Sequence, residues 1–464
     1  VTAPVAVSAA PPRPARTRSP WLTLVAMCLG FFLMLLDSTI VAVAVPSIAA
    51  DFEVTDAATV WVNSGYLFAY AVPLLCSGRW GDRFGPRRVY IVGLGVFVAA
   101  SLACGLAPTL EVLVTARIAQ GAGAALMTPQ SLAMIRRVFP AASLPTALGV
   151  WSAVGGVAAA SGPLLGGVLI AWAGWPAIFL VNVPLGVVAL AMVVWWAPRL
   201  PAAGGTVPVV TAAASALGVF ALVFAVHEAP QTAGWLTIVV AAAGIVLTAL
   251  AFVFQPRDPR RALVPGLLVR SRGFVAAVSS ATSASFIVGA ALIPVMLHLQ
   301  NERGLDVGTA TLVVLPLGVV SAVTAPLAGL CVRRWGARPV AVTGSAAMVV
   351  SVCACAVAAD TGAPISVLVL ALGLFGFANS FVWSPLATAA MTSVPVEFAG
   401  AASGTYNATR QVGAVLGSAV TAMLLAVSGP VVALGVLGLS GFVAVAGAAV
   451  LPKGVAAARA RPSA

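Results

Sequence analysis

Asp37 lies well inside a long apolar run, Trp21 to Val45, with no other acidic residue in it. A carboxylate at the centre of a bilayer costs roughly 2.5–3.5 kcal/mol on insertion scales, so a chain that keeps one either uses it or neutralises it. Taking up a proton removes that cost, which makes Asp37 a candidate proton carrier. A carboxylate merely hydrogen-bonded to Ser38 or Thr39 is the alternative. Arg117 falls in a later apolar run. A guanidinium does not lose its proton in a protein, so a buried one needs an acceptor. If the two runs cross in opposite senses, Asp37 is about 12 Å and Arg117 about 9 Å from the outer ends of their helices. Similar depth makes Asp37 the natural partner, and protonating it would break the pair. Backbone carbonyls or Gln120 could hold Arg117 as a structural clamp instead.

Four further groups of residues could act. Asp82 stands in GRWGDRFGPRR (78–88), four residues after Gly78 and so on the same helical face. Gly78 admits a close helix approach, and the carboxylate could meet the N-terminus of the eleventh apolar segment and the neighbouring Arg83. A solvated loop charge is the alternative. A run rich in small residues holds Gly155, Gly156, Gly162, Pro163, Gly166 and Gly167, which suits tight packing with a local bend. Asn407, Arg410 and Gln411 lie about two turns into a late segment, as a polar contact across the halves or a structural clamp. Trp61, Asn63, Tyr66, Tyr70, Trp151, Phe286, Phe377, Asn379, Phe381, Trp383 and Tyr406 could line a cavity, since aromatics with a few amides suit amphipathic organic molecules; each could equally face lipid. His227 and His298 fall at helix ends. The sequence shows no nucleotide-binding loop, no Ser/His/Asp arrangement and no metal-ligand cluster, so no cofactor is expected and any transport would run on an ion gradient.

The elements that must position these groups are membrane helices. Of 464 residues 61% are hydrophobic and 8% charged, against about 25% charged in soluble domains; mean hydropathy is +1.08. At about twenty apolar residues per crossing, fourteen segments are predicted: 21–45, 58–78, 89–107, 111–133, 146–170, 177–197, 209–227, 235–254, 273–298, 309–331, 339–359, 365–391, 403–428 and 430–451. The first is too long for a signal-peptide core. Counted this way, every basic residue except Arg117, Arg303 and Arg410 falls on one side, with Arg13, Arg16, Arg18, Lys453, Arg459 and Arg461 in the tails. The positive-inside rule makes that side, and both termini, cytoplasmic. The net charge of +12 is therefore a topology signal and does not point to nucleic acid. The six cysteines read as small packing residues in apolar runs. GLCVRRWGAR (329–338) echoes the first loop motif, so segments 1–6 match segments 9–14 around an inserted pair, with Arg333 where the first copy has Asp82. Parallel six-helix repeats with substrate between the halves are a known transporter build.

Several motifs carry a family resemblance over about residues 20–451: LDSTIVAVAVP (36–46), the 78–88 loop, RIAQGAG (117–123), GPLLGG (162–167), WPAIFLVNVPLG (175–186) and ASGTYNATRQVG (402–413). The chain resembles the fourteen-helix drug:proton antiporters of the major facilitator superfamily. It departs from their pattern at Ala42, where Asn is usual, and at Ala158, where Gly is usual. The resemblance implies an all-α integral membrane protein of the major facilitator fold. It would have a disordered tail (1–20), an N-terminal six-helix bundle (21–200), inserted helices (201–256), a C-terminal six-helix bundle (257–452) and a second tail (453–464). It further implies proton coupling at Asp37 and Arg117 and a conformational latch at Gly78, Asp82, Arg83, Gly85 and Arg87. Gly162, Pro163, Gly166 and Gly167 would form the antiporter helix. The implied function is proton-coupled efflux of hydrophobic or amphipathic small molecules, drugs or antibiotics, from the plasma membrane by a monomer that meets protons, substrate and lipid. A proton-driven uptake symporter, or a membrane enzyme or lipid-handling protein without ion coupling, are the alternatives. One intramembrane acid favours neutral or singly charged substrates over divalent cations.

The topology has a direct test. Single cysteines at 51–57 and 299–308 are expected to react with an impermeant thiol reagent from outside; reaction at 256–262 in place of 299–308 would overturn the fourteen-segment count.

Overall fold

The computed structural model describes residues 19–202, 204, 208–228 and 235–452. The sequence expectations for residues 1–18 and 453–464 lie outside these. Within them the chain is helical almost throughout, as lipid demands of a backbone that must satisfy its own hydrogen bonds. In chain order the helices are α1 (Pro20–Asp51), α2 (Asp56–Ala71), α3 (Leu74–Phe84), α4 (Pro86–Gly105), α5 (Leu110–Val138), α6 (Leu144–Ala173), α7 (Ala177–Leu180), α8 (Asn182–Trp196), α9 (Val209–Glu228), α10 (Trp235–Val253), α11 (Gly266–Arg270), α12 (Arg272–Val288), α13 (Leu292–Leu297), α14 (Val307–Trp335), α15 (Ala337–Asp360), α16 (Ile365–Thr392) and α17 (Ala399–Val450). Among the described residues, eleven helical stretches are long and apolar enough to cross a membrane, and two shorter apolar stretches, Leu144–Ala158 and Val209–Leu222, add to them.

Helix breaks follow the sequence chemistry. The segment predicted as one helix over 58–78 is divided between α2 and α3 at Pro73, which has no N–H to donate and crowds the preceding turn. Gly429, at φ +79°, interrupts α17 just before Pro430. Gly85 and Gly336 hold φ +89° and +88° at matching places in the two echoed loops. Only glycine adopts that backbone without strain, so both copies of the motif turn the chain in the same way.

Small residues set how closely the helices approach. A Cβ on Gly149 of α6 would lie 2.8 Å from the Cα of Gly329 of α14, and one on Gly329 would lie 2.7 Å from the Pro145 carbonyl oxygen. At α3 and α17, a Cβ on Gly78 would overlap the Gly400 carbonyl. These two crossings join residues from the first and second halves of the sequence. The α9–α10 pair is knit at Gly218 and Gly244, and α9 leans on α2 through Phe68, Phe220 and Phe224. The outer face of α10 exposes Trp235, Leu236 and Ile238, an apolar surface suited to lipid.

Gly149→Val should lower the thermal midpoint in detergent, by the equivalent of about 1–3 kcal/mol for overpacking. Gly435→Ala, where a Cβ meets nothing within 4 Å, should leave it unchanged. Equal midpoints for the two variants would contradict the crossing.

Candidate functional site

Asp37 of α1 and Arg117 of α5 meet as the depth estimate requires. The Arg117 Nη1 donates to Asp37 Oδ2 at 2.5 Å, and neither side chain has any exposure. The other carboxylate oxygen, Oδ1, accepts from Gln120 Nε2 at 2.9 Å and from Asn182 Nδ2 at 3.1 Å. Both amides also donate to Ser101 Oγ, which itself donates to the Phe179 carbonyl at 2.9 Å. Arg117 Nε donates to the Val62 carbonyl and Nη1 also to Gln120 Oε1. The clamp contacts and the ion pair, alternatives in the sequence, thus coexist. Ser38 and Thr39 turn to the carbonyls of α1 instead of to Asp37. The guanidinium lies 4.3 Å over the Tyr66 ring and 5.6 Å from that of Phe179. Asn182 and Ser101 were not singled out in the sequence; Asn182 stands in the 175–186 motif, which is the one signal that could have found it.

Tyr66 is also a wall of the central cavity, of about 310 Å³, between the two halves of the chain. Ser38, next to Asp37, lines it as well. Tyr66 stacks on Tyr70, and Phe31 stacks on Trp151 at 4.0 Å. Across the cavity, Trp383 Nε1 donates to Asn379 Oδ1 at 2.7 Å and Asn379 donates to Ser321. Asn407, Arg410 and Gln411 line the same space. Among the described contacts, Arg410 stacks 4.0 Å over Trp383, and Asn407 Nδ2 turns back to the Ser403 carbonyl. Of the expected lining, Tyr66, Tyr70, Trp151, Asn379 and Trp383 are in place. Trp61, Asn63, Phe286, Phe377, Phe381 and Tyr406 are not. Trp61 packs toward Phe68, Phe377 stacks on Phe381, and Tyr406 is buried behind Arg410.

The small residues of α6 explain how helix and carboxylate are coupled in space. A Cβ on Gly162 would overlap Thr39, and one on Gly166 would come within 2.9 Å of Ile40 Cγ1. These two glycines seat α6 on the turn of α1 that follows Asp37. Gly167, from the same motif, faces open space and takes no part in this contact. Pro163 lies in α6, and its side chain is outside the described set.

Asp82 makes a second polar centre, just beyond the apolar segment 58–78. It is 1% exposed. Its Oδ1 accepts from the Gly400 N–H at 3.0 Å and from Arg137 Nη2 at 2.9 Å, and its Oδ2 from the Ala401 N–H at 2.9 Å, with Arg79 Nη1 3.6 Å away. The helix N-terminus it meets is that of α17, not the one beginning at 339, and its cations are Arg137 and Arg79, not Arg83, which lies over Phe84. Burial pushes the Asp82 carboxyl up from its ordinary range, opposed by Arg137, the two backbone N–H groups and Arg79. Arg79 also donates to the Arg260 carbonyl, and Arg87 Nη2 to the Val194 carbonyl at 2.6 Å. Arg136 Nε reaches the Met391 carbonyl at 2.8 Å, so several bonds join the halves at this end.

A bundle of apolar helices with a buried ion pair beside a central cavity defines a multi-pass membrane protein of the transporter type. The sequence profile described as Major Facilitator Superfamily matches residues 27–257, 198–418 and 278–463, and the chain belongs to that superfamily. It is 40% identical over 412 residues to an uncharacterized MFS-type transporter of Mycobacterium tuberculosis, covering 88% of this chain and 71% of that protein. It is 35% identical to the multidrug resistance protein Stp of the same species, covering 88% and 76%. To the tetracenomycin C resistance and export protein of Streptomyces glaucescens it is 34% identical, again covering 88% and 76%. Among solved structures, the proton:xylose symporter XylE with a bound sugar analogue superposes with a TM-score of 0.67 at 16% identity, over 92% of this chain and 94% of that one. The human organic anion transporter MFSD10 gives 0.68 at 14%, over 93% and 100%.

Asp82→Asn should loosen the junction of α3 with α17. A cysteine replacing Ser403, which has no exposure, is expected to react with N-ethylmaleimide several-fold faster in that background. An unchanged rate would mean that the carboxylate does not hold this end together.

Proposed function

We propose that this protein is a proton-coupled exporter of hydrophobic or amphipathic small molecules, including antibiotics, that works by alternating access. The observation that carries the reading is the fully buried Asp37–Arg117 pair backed onto a cavity wall, Tyr66. Relatives named for multidrug resistance and for antibiotic resistance and export support the direction and the substrate type. Fourteen crossings are the arrangement we favour, with halves at 21–200 and 257–452 around an inserted pair at 201–256, both termini cytoplasmic, in the plasma membrane. A monomer is the working unit, since one chain supplies both cavity walls.

The chemistry follows from the bonding of one carboxylate. Oδ1 already accepts two amide N–H groups, so an incoming proton lands on Oδ2, the oxygen that faces Arg117. Neutral Asp37 no longer attracts the guanidinium, which stays charged and is left to Gln120, the Val62 carbonyl and the face of Tyr66. Any shift of Arg117 therefore bears on a residue that contacts substrate. Conversely, substrate pressing on Tyr66 alters the affinity of the pair for a proton, because coupling between two sites is reciprocal. Gly162 and Gly166 would pass the same change to α6, which crosses to the second half at Gly149. The Asp82 cluster latches the state closed at its end, with Gly78 and Gly85 shaping the approach and Arg87 tying the loop to α8. Opening there requires Asp82 to leave the N-terminus of α17.

Asp37→Asn should abolish efflux driven by an imposed pH gradient in proteoliposomes, using a compound identified by a susceptibility panel in an efflux-deficient host. Exchange without a gradient should persist. Undiminished gradient-driven efflux would refute the assignment.

A further inference from the structure

Among the described residues the cavity lining carries one formal charge, and none of the described ion pairs balances it. Among its described lining residues Arg410 alone is ionisable to a cation and none is acidic. Asp37, the acid nearest in function, is committed to Arg117, Gln120 and Asn182 and lies behind Tyr66 with no exposure. Arg410 enters none of the described ion pairs. Its Nε is buried without a hydrogen-bond partner. What holds the guanidinium is a ring face, Trp383 at 4.0 Å, and that ring is fixed through Asn379 to Ser321. A cation–π contact satisfies the plane of a guanidinium but supplies no acceptor for its N–H groups. The arginine is thus pre-positioned, half-buried and short of an anion. The same cavity is lined by flat aromatic pairs, Phe31 on Trp151 and Tyr66 on Tyr70, and by Gln411.

We infer that the cavity selects aromatic amphipathic anions, weak organic acids whose carboxylate, sulfonate or ionised phenol pairs with Arg410 while the ring system lies on the aromatic walls. This rests on the export reading and narrows it: organic cations, which find no acid in the cavity and one like charge, are disfavoured. Arg410 is the specificity-determining residue and Trp383 its platform. The bound anion supplies the counter-charge that the chain withholds.

Binding to the purified wild-type protein in detergent tests this, by equilibrium dialysis corrected for empty micelles. The probes are anilinonaphthalenesulfonate, an aromatic anion, phenylnaphthylamine, the same ring system without the sulfonate, and the cation tetraphenylphosphonium. The anion is expected to bind about ten-fold or more tightly than its neutral counterpart, the size of one charge-assisted hydrogen bond. Arg410→Gln should close that gap to about three-fold or less, and Arg410→Lys should keep part of it. Equal binding of the pair by wild type, preference for the cation, or a gap that persists in Arg410→Gln would each overturn the inference. If Arg410→Gln does not fold, the wild-type comparison decides alone. The measurement needs no gradient, so it separates from the export reading. Proton-driven efflux by a protein that shows no such preference would sink this inference and leave export standing.

Discussion

Two opposite charges sealed from water constrain everything around them. Taking an aspartate and an arginine out of solvent costs several kcal/mol for each ion, and their attraction offsets this only if the remaining donors and acceptors are also met. Here Ser101, Gln120, Asn182 and the Val62 carbonyl, from α4, α5, α8 and α2, meet most of them, while Arg117 Nη2 and Asn182 Oδ1 stay buried without a hydrogen-bond partner. Four helices are thereby fixed around one carboxylate of α1. Removing one partner of such a pair costs about 3–5 kcal/mol, so protonation, which removes the charge without removing the side chain, is a large perturbation delivered at one atom. The tight seating of α6 on Thr39 and Ile40, and the stacking of Arg117 on Tyr66, place the helix that crosses to the other half and the cavity wall directly against it.

The second polar centre obeys the same rule by other means. Asp82 is buried, yet its four contacts are two backbone N–H groups of a helix start and two arginines. The dipole of α17 and the cations share the stabilisation, and the bare backbones of Gly78 and Gly400 let the helices come near enough for those N–H groups to reach. The carboxylate and the glycines are one device: without the missing side chains the hydrogen bonds could not form.

The helices were legible because lipid leaves the backbone no choice, but the break at Pro73 was not read from the sequence, in which 58–78 runs as one segment. Asp37 and Arg117 could be paired from depth alone, since an ionised side chain in an apolar run announces itself. Their amide partners could not: Gln120 appeared only as a rival holder of Arg117, and Ser101 looks like any small residue on a helix. The partner of Asp82 was misplaced because the bond spans 318 positions of sequence, and segment order alone does not say which helix start lies opposite. The cavity was half legible. Aromatic type is visible in sequence, but the direction a ring faces is set by packing, which turned Trp61 and Tyr406 away and brought Ser38 and Thr128 in.

The two echoed loops share a turn but not a charge, since Arg333, at the place of Asp82, is exposed. Counted as fourteen segments, both loops fall on the same side, so a carboxylate at 333 would reinforce closure at the end where Asp82 sits and would not balance it. If Asp82 acts as the proposed latch, the resting population would lean toward the form it holds, and compounds approaching from that end would meet an affinity reduced by the fraction of open molecules. A repeated turn with one unrepeated carboxylate would thus let a single side chain set how long that end stays shut.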